Sequence, residues 1–321
     1  MIYRECYEYG HTTLAAAGID EAAWDARLLL EHVCGTNRND LLVHGDREVT
    51  SPQEARYREL IAQRAKRIPL QHLTGVQEFM GLEFKVNEHV LIPRQDTEIL
   101  VEEVLKELHD GMRILDMCTG SGCILISLLH YSNGCGGVGV DISEEALKIA
   151  RENAERLLKQ GQSHEISVLQ EQMSRDDFAE KLEQACDGAD KETECQNDYV
   201  SDARFTFLQS DLFESVTGKY DFIVSNPPYI RSDVIPTLMP EVKDHEPMQA
   251  LDGTEDGLFF YRRITDESRR FLVRGGMLYF EIGHDQAEAV SGLMAEAGFV
   301  EINVVKDFAG LDRVVYGTYI K

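Results

Sequence analysis

Apolar residues recur at helical spacing through the first seventy-five positions of the chain. The run from Ala22 to Val33 has apolar side chains at 22, 23, 26, 29, 30 and 33, which predicts an amphipathic helix. Asp20 is its predicted N-cap, and Gly35 stands where such a helix ends. The helices of residues 1–75 are too few and too short for a large core, so we expect a small bundle attached to another domain.

Two further local patterns precede the main domain. Ser51-Pro-Gln-Glu54 reads as a capping box with proline at the first helical position, and it predicts a helix that Pro69 ends. In residues 76–92 the period changes, because Phe79 to Val86 alternates around Gly81. This alternation predicts a short hairpin that links the bundle to the main domain.

From about residue 95, short apolar strands alternate with helices, the pattern of a parallel α/β sheet covered by helices on both faces. One predicted helix is Cys123–His130, and another begins after Ser143 and ends near Lys159. The predicted strands are Arg113–Met117, Gly137–Asp141, Phe205–Leu208, Tyr220–Val224, Gly276–Ile282, Ile302–Val305 and Val314–Ile320.

Residues 161–200 interrupt this alternation with 11 acidic and 3 basic residues. The segment has few apolar positions, and its one possible helix extends from Ser174 to Cys186. We interpret it as a solvated surface insertion after the second helix of the sheet domain.

Composition narrows the class of protein. The chain has 57 acidic and 32 basic residues, a net charge of −25, which argues against a general nucleic-acid binder. Its seven cysteines form no C-x-x-C pair, so neither a disulfide framework nor a zinc finger is indicated, and we expect no metal site. No signal-peptide pattern or membrane-length apolar run is present, and a cytoplasmic protein without membrane contact is expected.

The first group of candidate functional residues is the turn Asp116-Met-Cys-Thr-Gly-Ser-Gly122. Here a strand ends in glycines and opens a helix, which lets a ligand approach the backbone closely. Asp141 ends the next strand, where a carboxylate can accept hydrogen bonds from ribose hydroxyls. A tight turn without a ligand is the alternative, but the glycine turn and the Asp141 carboxylate together favour an adenosine-bearing cofactor. Leu125 occupies the third glycine position of the dinucleotide fingerprint, so NAD is disfavoured.

The second group is Asn226-Pro-Pro-Tyr229, at the end of an apolar strand. The Asn226 side chain and the carbonyl of Pro227 can accept protons from a planar group bearing an NH2, while Tyr229 offers a flat face. A simple strand terminator is the alternative interpretation. The third group is Ser210-Asp211-Leu212, where Asp211 can accept from an adenine amino group or can equally cap a helix.

These motifs together resemble a class I S-adenosylmethionine-dependent methyltransferase that acts on an amide or exocyclic amino nitrogen. Further segments are similar to the glutamine methyltransferases of peptide chain release factors, the PrmC/HemK family, and the match covers nearly the whole chain. These segments are Ala26–Leu30, Pro69–His72, Gly81–Val86, Val90–Glu98, Asp252–Leu258, Tyr261–Arg263 and Glu281–Gly283. The chain departs from the family at Cys118, where members usually have glycine, and in the acidic stretch 161–200.

The resemblance implies an α/β fold: a Rossmann-like, seven-stranded class I methyltransferase sheet whose last strand is antiparallel. It implies a helical N-terminal domain at 1–75, a β-hairpin linker at 76–94 and the methyltransferase domain at 95–321. We expect the helical domain to dock the protein substrate, because one side chain in a pocket cannot select a protein by itself; a bundle that merely caps the sheet is the alternative. The implied activity is methylation of the side-chain amide nitrogen (N5) of the glutamine in the Gly-Gly-Gln motif of release factors, which are then the protein partners.

The resemblance also implies roles for individual residues. Asn226, Pro227 and Tyr229 would be catalytic, and Pro228 would join them in holding the glutamine. The residues implied to contact S-adenosylmethionine are Cys118, Thr119, Gly120, Ser121, Gly122, Asp141, Asp211, Leu212 and Asn226.

Three rival functions are weaker. A DNA-adenine or ribosomal-RNA methyltransferase uses a similar Asn/Asp-Pro-Pro-aromatic turn, but the charge of −25 speaks against it. A non-enzymatic adenosine-binding module would not need Asn226 to Tyr229. An NAD oxidoreductase would need the third glycine of the dinucleotide fingerprint, which this chain lacks.

Overall fold

The computed structural model describes residues 1–172 and 204–321. The chain divides into two compact units, which we call the N-terminal unit (residues 1–93 and 228–260) and the sheet unit (residues 94–227 and 261–321). Most of the acidic stretch 161–200, and the helix predicted from Ser174 to Cys186, lie outside the described residues.

The N-terminal unit contains a helical bundle, a hairpin and a shorter second segment. Its first segment comprises α1 (Tyr3–Ala16), α2 (Ala22–Cys34), α3 (Arg38–Val43), α4 (Ser51–Arg64), α5 (Leu70–Thr74), β1 (Val76–Phe79) and β2 (Leu82–Lys85). The second segment has a 3₁₀ turn (Ile235–Thr237), α9 (Pro240–Lys243) and α10 (Met248–Leu251). The bundle and the hairpin predicted from the hydrophobic pattern are confirmed.

One buried cluster holds α1, α2 and α4 together. Tyr57 of α4 is fully buried in it and donates its hydroxyl to the carbonyl of Ala26 at 3.0 Å. A charged group joins the second segment to the bundle, because Glu241 accepts from Arg64 at 3.0 Å and from Arg67 at 3.1 Å. Arg64 also pairs with buried Asp25 at 2.6 Å, so the unit contains a buried ionic network.

The predicted helix ends in this unit need correction. The N-cap of α2 is Glu21 and not Asp20, although Gly35 ends the helix in the left-handed conformation as expected. The capping box of α4 joins Thr50 to Gln53 and not Ser51 to Glu54, and the helix ends at Arg64, before Pro69. Thr50 and Ser51 are both good caps, and the local pattern does not discriminate between neighbours.

The sheet unit alternates strands and helices. Its elements are a 3₁₀ turn (Gln95–Thr97), α6 (Glu98–Glu107), β3 (Arg113–Met117), α7 (Cys123–His130), β4 (Gly136–Asp141), α8 (Glu144–Gln172), β5 (Phe205–Gln209), β6 (Tyr220–Ser225), α11 (Phe259–Ser268), β7 (Leu272–Glu281), α12 (Ala287–Ala297), β8 (Phe299–Lys306) and β9 (Asp312–Tyr319). The helix predicted to end near Lys159 extends to Gln172, since the single glycine in that stretch does not stop it.

Within the described residues, seven strands form one sheet in the order β5-β4-β3-β6-β7-β9-β8. The strands β5, β4, β3, β6 and β7 are parallel, and β9 is antiparallel to both of its neighbours. This arrangement confirms the predicted Rossmann-like methyltransferase sheet with an antiparallel last strand. The chain order reverses between β3 and β6, and open α/β sheets bind ligands outside the carboxyl ends of strands at such a point.

Candidate active site

The carboxyl ends of four neighbouring parallel strands bring the predicted cofactor residues of the sheet unit to one edge. Met117 at the end of β3 lies opposite Val140 on one side and Ser225 on the other, and Asp141 lies opposite Gln209. The residues that come directly after these strand ends therefore share one edge of the sheet. They include the glycine turn, Ser210 to Leu212 and Asn226.

Asp116 organises the glycine turn from inside the protein. Its side chain is fully buried and accepts from the Thr119 hydroxyl at 2.6 Å and from the backbone N–H of Leu125 at 3.3 Å. Burial raises the pKa of Asp116 to about 7, against the opposing effect of these two hydrogen bonds. The carboxyl thus ties both ends of the turn to the end of β3.

Asp141 holds the outer side of the same turn. One of its carboxylate oxygens accepts from the N–H of Gly120 at 2.9 Å, and the other accepts from the N–H of Ser143 at 2.9 Å. Burial raises the pKa of Asp141, while these backbone hydrogen bonds oppose the rise. A carboxylate has about four acceptor sites, so two backbone bonds leave capacity for ribose hydroxyls.

Two predicted cofactor residues have strained backbones. Cys118 has φ 63° and Leu212 has φ 47°, both in the left-handed region that residues with a Cβ seldom adopt. Such strain clusters at ligand sites, where the surrounding structure enforces it. Burial raises the pKa of the Cys118 thiol, so this side chain remains a neutral thiol and not a thiolate nucleophile.

The turn has room for a ligand at Gly120. A Cβ built on this glycine, whose φ is 54°, would meet no atom within 4 Å. The carbonyl of Ser121 is already held by buried Asn153 at 3.0 Å, which fixes the shape of the turn. Open space beside a rigid turn and a carboxylate fits an adenosine-bearing group.

Asn226 stands one residue past β6, beside the strand that carries the turn. Its side-chain nitrogen donates to the hydroxyl of Thr97 at 3.4 Å. Thr97 is buried and begins α6 as an N-cap, yet its hydroxyl makes no capping hydrogen bond. In this contact the Asn226 amide nitrogen is used by Thr97, so the Asn226 side-chain oxygen can accept a hydrogen bond from another group.

Asp211 has a partner within the sheet unit. Its carboxylate accepts from Arg263 of α11 at 2.8 Å. The helix-cap alternative is wrong, because residues 212–215 form a turn and no helix begins there; within this turn the Ser210 hydroxyl accepts from the N–H of Ser215 at 2.9 Å. An adenine contact for Asp211 stays a prediction, and it would have to coexist with the Arg263 ion pair.

The division between the two units falls within the Asn-Pro-Pro-Tyr motif, after Pro227. In the N-terminal unit, Pro228 and Tyr229 lie against Gly253, where a Cβ would come within 2.7 Å of the Tyr229 backbone. The N–H of Gly253 donates to the carbonyl of Ile230 at 2.8 Å. The segment Asp252–Leu258 therefore braces the second half of the motif, and only glycine fits at 253.

The sequence motifs assign no role to Thr97, Gly253 or Arg263, although all three lie in segments that carry the family resemblance. Their partners are distant in the chain, and Thr97 is 129 residues from Asn226. A buried threonine or a close-packed glycine has no local periodic signal. Only the matched segments themselves pointed to these residues.

Neither a metal centre nor a membrane-crossing helix is found in the parts of the chain that the structure describes. Among residues 1–158 and 204–321, no three or more His, Cys, Asp or Glu side chains are grouped so as to hold a metal ion. None of the helices with described residues has both the length and the apolar character that crossing a membrane requires.

Comparison with known proteins agrees with the motifs. Residues 5–75 match the PrmC N-terminal domain, and residues 108–181 match a methyltransferase domain. The chain is 37% identical over 308 residues to the release factor glutamine methyltransferase of Agrobacterium fabrum, with 94% of this chain and 92% of the relative covered. It is 39% identical over 296 residues to the protein of the same name from Clostridium acetobutylicum, with 91% and 89% covered.

A solved structure of protein-(glutamine-N5) methyltransferase (release factor-specific) from Alicyclobacillus acidocaldarius is also similar. It is 28% identical and covers 74% of this chain and 100% of its own, with a TM-score of 0.37. The sequence relatives are sufficient by themselves, and they confirm the resemblance that the motifs indicated: this chain belongs to the release factor glutamine methyltransferase family.

Proposed function

We propose that this enzyme methylates the side-chain amide nitrogen (N5) of the glutamine in the Gly-Gly-Gln motif of peptide chain release factors. Its family membership supports both the reaction and the protein substrate. The single observation that carries the proposal is the position of Asn226, an amide acceptor one residue past β6 and beside the strand of the glycine turn.

The methyl donor in this proposal is S-adenosylmethionine, which supplies an electrophilic methyl group on a positively charged sulfur. The open space at Gly120 and the acceptor capacity of Asp141 support it. The strained backbones of Cys118 and Leu212 are a further sign of a ligand site. The residues proposed to contact the donor are Cys118, Thr119, Gly120, Ser121, Gly122, Asp141, Asp211, Leu212 and Asn226.

The substrate amide needs careful positioning, because its nitrogen lone pair is delocalised into the carbonyl group and is a poor nucleophile. The Asn226 oxygen and the Pro227 carbonyl would each accept one hydrogen bond from the amide NH2 group, which fixes the orientation of the amide. Pyramidalisation of the nitrogen is then favoured, and its lone pair becomes less delocalised into the carbonyl group and more available to attack the methyl group. Orientation of this kind supplies roughly 7–11 kcal/mol in well-arranged systems. A strong base is not required, since the surplus proton on nitrogen can leave to solvent after transfer.

Pro228 and Tyr229 complete the proposed glutamine clamp from the sequence motif. Their backbone is held by Gly253 and by the pairing of Ile230 with Asp252. A rigid backbone at these positions suits a role in presenting a flat apolar surface to the substrate.

The helical domain at residues 1–75 is proposed to bind the release factor away from the reacting glutamine. One side chain in a pocket cannot supply both affinity and choice of protein, so a second contact surface is needed. Direct nucleic-acid binding is not part of the proposal, in view of the net charge of −25. A cytoplasmic location is part of it, because release factors act in translation.

The proposal is tested by incubating the enzyme with S-adenosylmethionine labelled in its methyl group, together with either a release factor or nucleic acid. We expect label on the release factor, and none on a factor whose motif glutamine is replaced by alanine. Label on DNA or ribosomal RNA with an unlabelled factor would overturn the proposal in favour of an amino-group methyltransferase of nucleic acid.

A further inference from the structure

The N-terminal unit contains a surface cavity that none of the motifs explains. It has a volume of about 440 Å³ and lies between α1, α2 and α3. We call it the arginine groove and define it by Arg4 and Tyr7 of α1, Trp24 and Arg27 of α2, and Arg38 and Leu42 of α3. The volume accommodates one or two large side chains, the scale of an anchor in a protein interface.

The groove exposes large apolar side chains. Trp24 is 54% exposed and Leu42 is 72% exposed, while the floor of the groove includes fully buried Leu30. Exposed tryptophan beside a cavity is typical of interfaces, because aromatic residues contribute much of the binding energy there. Trp24 is also the one tryptophan in the entire sequence.

The charge of the groove is opposite to that of the chain. Among the described residues, the charged side chains that line the groove are three arginines and no carboxylate, whereas the whole chain has a net charge of −25. Arg27 lies over the Trp24 ring at 4.3 Å and pairs with Glu31 at 2.7 Å. Arg4 and Arg38 are exposed and form no ion pair with any described residue.

We propose that the arginine groove docks an acidic segment of the release factor that carries at least one apolar or aromatic side chain. The proposal rests on the proposed function and assigns its docking step to one surface of residues 1–75. We infer an acidic partner from charge complementarity, because two arginines without ion pairs among the described residues line the same groove as an exposed tryptophan. The apolar side chain of the partner would enter the cavity beside Trp24.

Binding can be followed at the groove itself. Full-length enzyme labelled with 5-fluorotryptophan has a single ¹⁹F resonance, since the sequence holds one tryptophan. We expect intact, unlabelled release factor to shift or broaden this resonance, and a short peptide containing only the Gly-Gly-Gln loop to leave it unchanged. No change at a factor concentration that saturates the enzyme would overturn the proposal. A shift on concentrating the enzyme alone would assign the groove to a second copy and overturn it too.

Kinetics on full-length variants provides the second readout. Trp24→Ala and Arg38→Glu should each raise KM for the intact factor about tenfold or more, with kcat and the KM for the short peptide unchanged. The matched control is Arg56→Glu on α4, which is half exposed and lies outside the groove, and it should change neither constant more than about twofold. Unchanged KM for the intact factor in both groove variants would overturn the docking role.

The two readouts separate this proposal from the proposed function. The ¹⁹F titration measures binding and does not require methyl transfer, so loss of activity would not be mistaken for loss of docking. If the wild-type enzyme labelled neither factor nor peptide while the resonance still shifted, the reaction assignment would fall and the groove assignment would stand.

Discussion

The strand ends of the sheet unit and the arginine groove of the N-terminal unit hold their functional groups in opposite ways. At the strand ends, both oxygens of Asp141 bond to backbone N–H groups and the Asp116 carboxyl is fully buried. In the groove, Trp24 and Arg38 project from helices and are exposed. One region has its polar groups fixed before any ligand arrives, and the other offers side chains that a partner must order.

This difference matches what each region is proposed to recognise. A cofactor and one amide must be oriented within a fraction of an ångström for transfer to occur, which requires groups held by rigid backbone. A folded protein substrate is instead recognised through area, charge and a few anchors. Changes at the strand ends should therefore affect every substrate alike, and changes in the groove should affect only the intact factor.

Loss of the Asn226 side chain should have the largest effect on activity. Asn226→Ala should lower kcat by about 100-fold or more on both the intact factor and a short peptide, as removal of a single aligned polar group does in other active sites. The melting temperature should be unchanged, because Asn226 lies past the end of β6 and is partly exposed. Near-normal methyl transfer by this variant would remove it from the clamp.

The buried carboxyl of Asp116 should make stability depend on pH. Its pKa is about 7 in the folded protein and 3.8 is its ordinary value, so the folded chain binds this proton more tightly than the unfolded chain. The resulting stabilisation, on the order of 4 kcal/mol, is complete below about pH 4 and is lost as the pH rises to about 7. Urea unfolding of the wild type and of Asp116→Asn between about pH 4 and pH 7 measures this stabilisation. A difference in the free energy of unfolding that does not change with pH would contradict burial of the charge.

Removal of the Asp141 carboxylate should weaken cofactor binding by about 1.5–3 kcal/mol, the value of hydrogen bonds to a charged acceptor. Calorimetry of Asp141→Ala with S-adenosylmethionine gives this quantity. Since Asp141 also accepts from Gly120 and Ser143, the variant should unfold at a lower temperature as well. Unchanged affinity would exclude Asp141 from the cofactor site.

A smaller effect is expected at Thr97, which orients Asn226. Thr97→Val removes one acceptor worth about 0.5–1.5 kcal/mol and should lower kcat about two- to tenfold with little change in KM. Thr97→Ser keeps the hydroxyl and should restore kcat. If the serine variant is as slow as the valine variant, the hydroxyl does not position Asn226.

The smallest effect concerns the strained backbone of Cys118. Cys118→Gly should change the free energy of unfolding by less than about 1 kcal/mol in the stabilising direction, because relief of the positive φ is partly offset by the flexibility of glycine in the unfolded chain. Cys118→Val should be destabilised by about 1–2 kcal/mol. Denaturant titrations of both variants test the strain, and equal stabilities would contradict it.

Sequence reasoning identified β3 and α7 with the bounds that the structure has. Both are short apolar segments separated by glycines, so local pattern defines them. It also found the turn, Asp141 and Asn226, because each lies directly at a strand end. The pattern predicts an α8 shorter than the observed helix, since no clear stop residue marks its end.

The contacts that complete the site were not predictable in the same way. The pairs Asn226–Thr97, Asp211–Arg263 and Arg64–Glu241 join residues that are distant in the chain and show no period. Glu241 in particular depends on Arg64 and Arg67, so a truncation that removes residues 1–75 would leave a buried charge unpaired. Point variants in the full chain are therefore the sharper tests of docking.

The most direct test of the account is to locate the transferred methyl group. Intact release factor is incubated with the enzyme and with S-adenosylmethionine carrying a deuterated methyl group, and its peptides are then sequenced by tandem mass spectrometry. We expect one labelled methyl group on the side-chain nitrogen of the Gly-Gly-Gln glutamine, and labelling at least about 100-fold slower when Asn226→Ala replaces the wild type. A methyl group on any other residue, or an unmodified glutamine after full turnover of the donor, would contradict it.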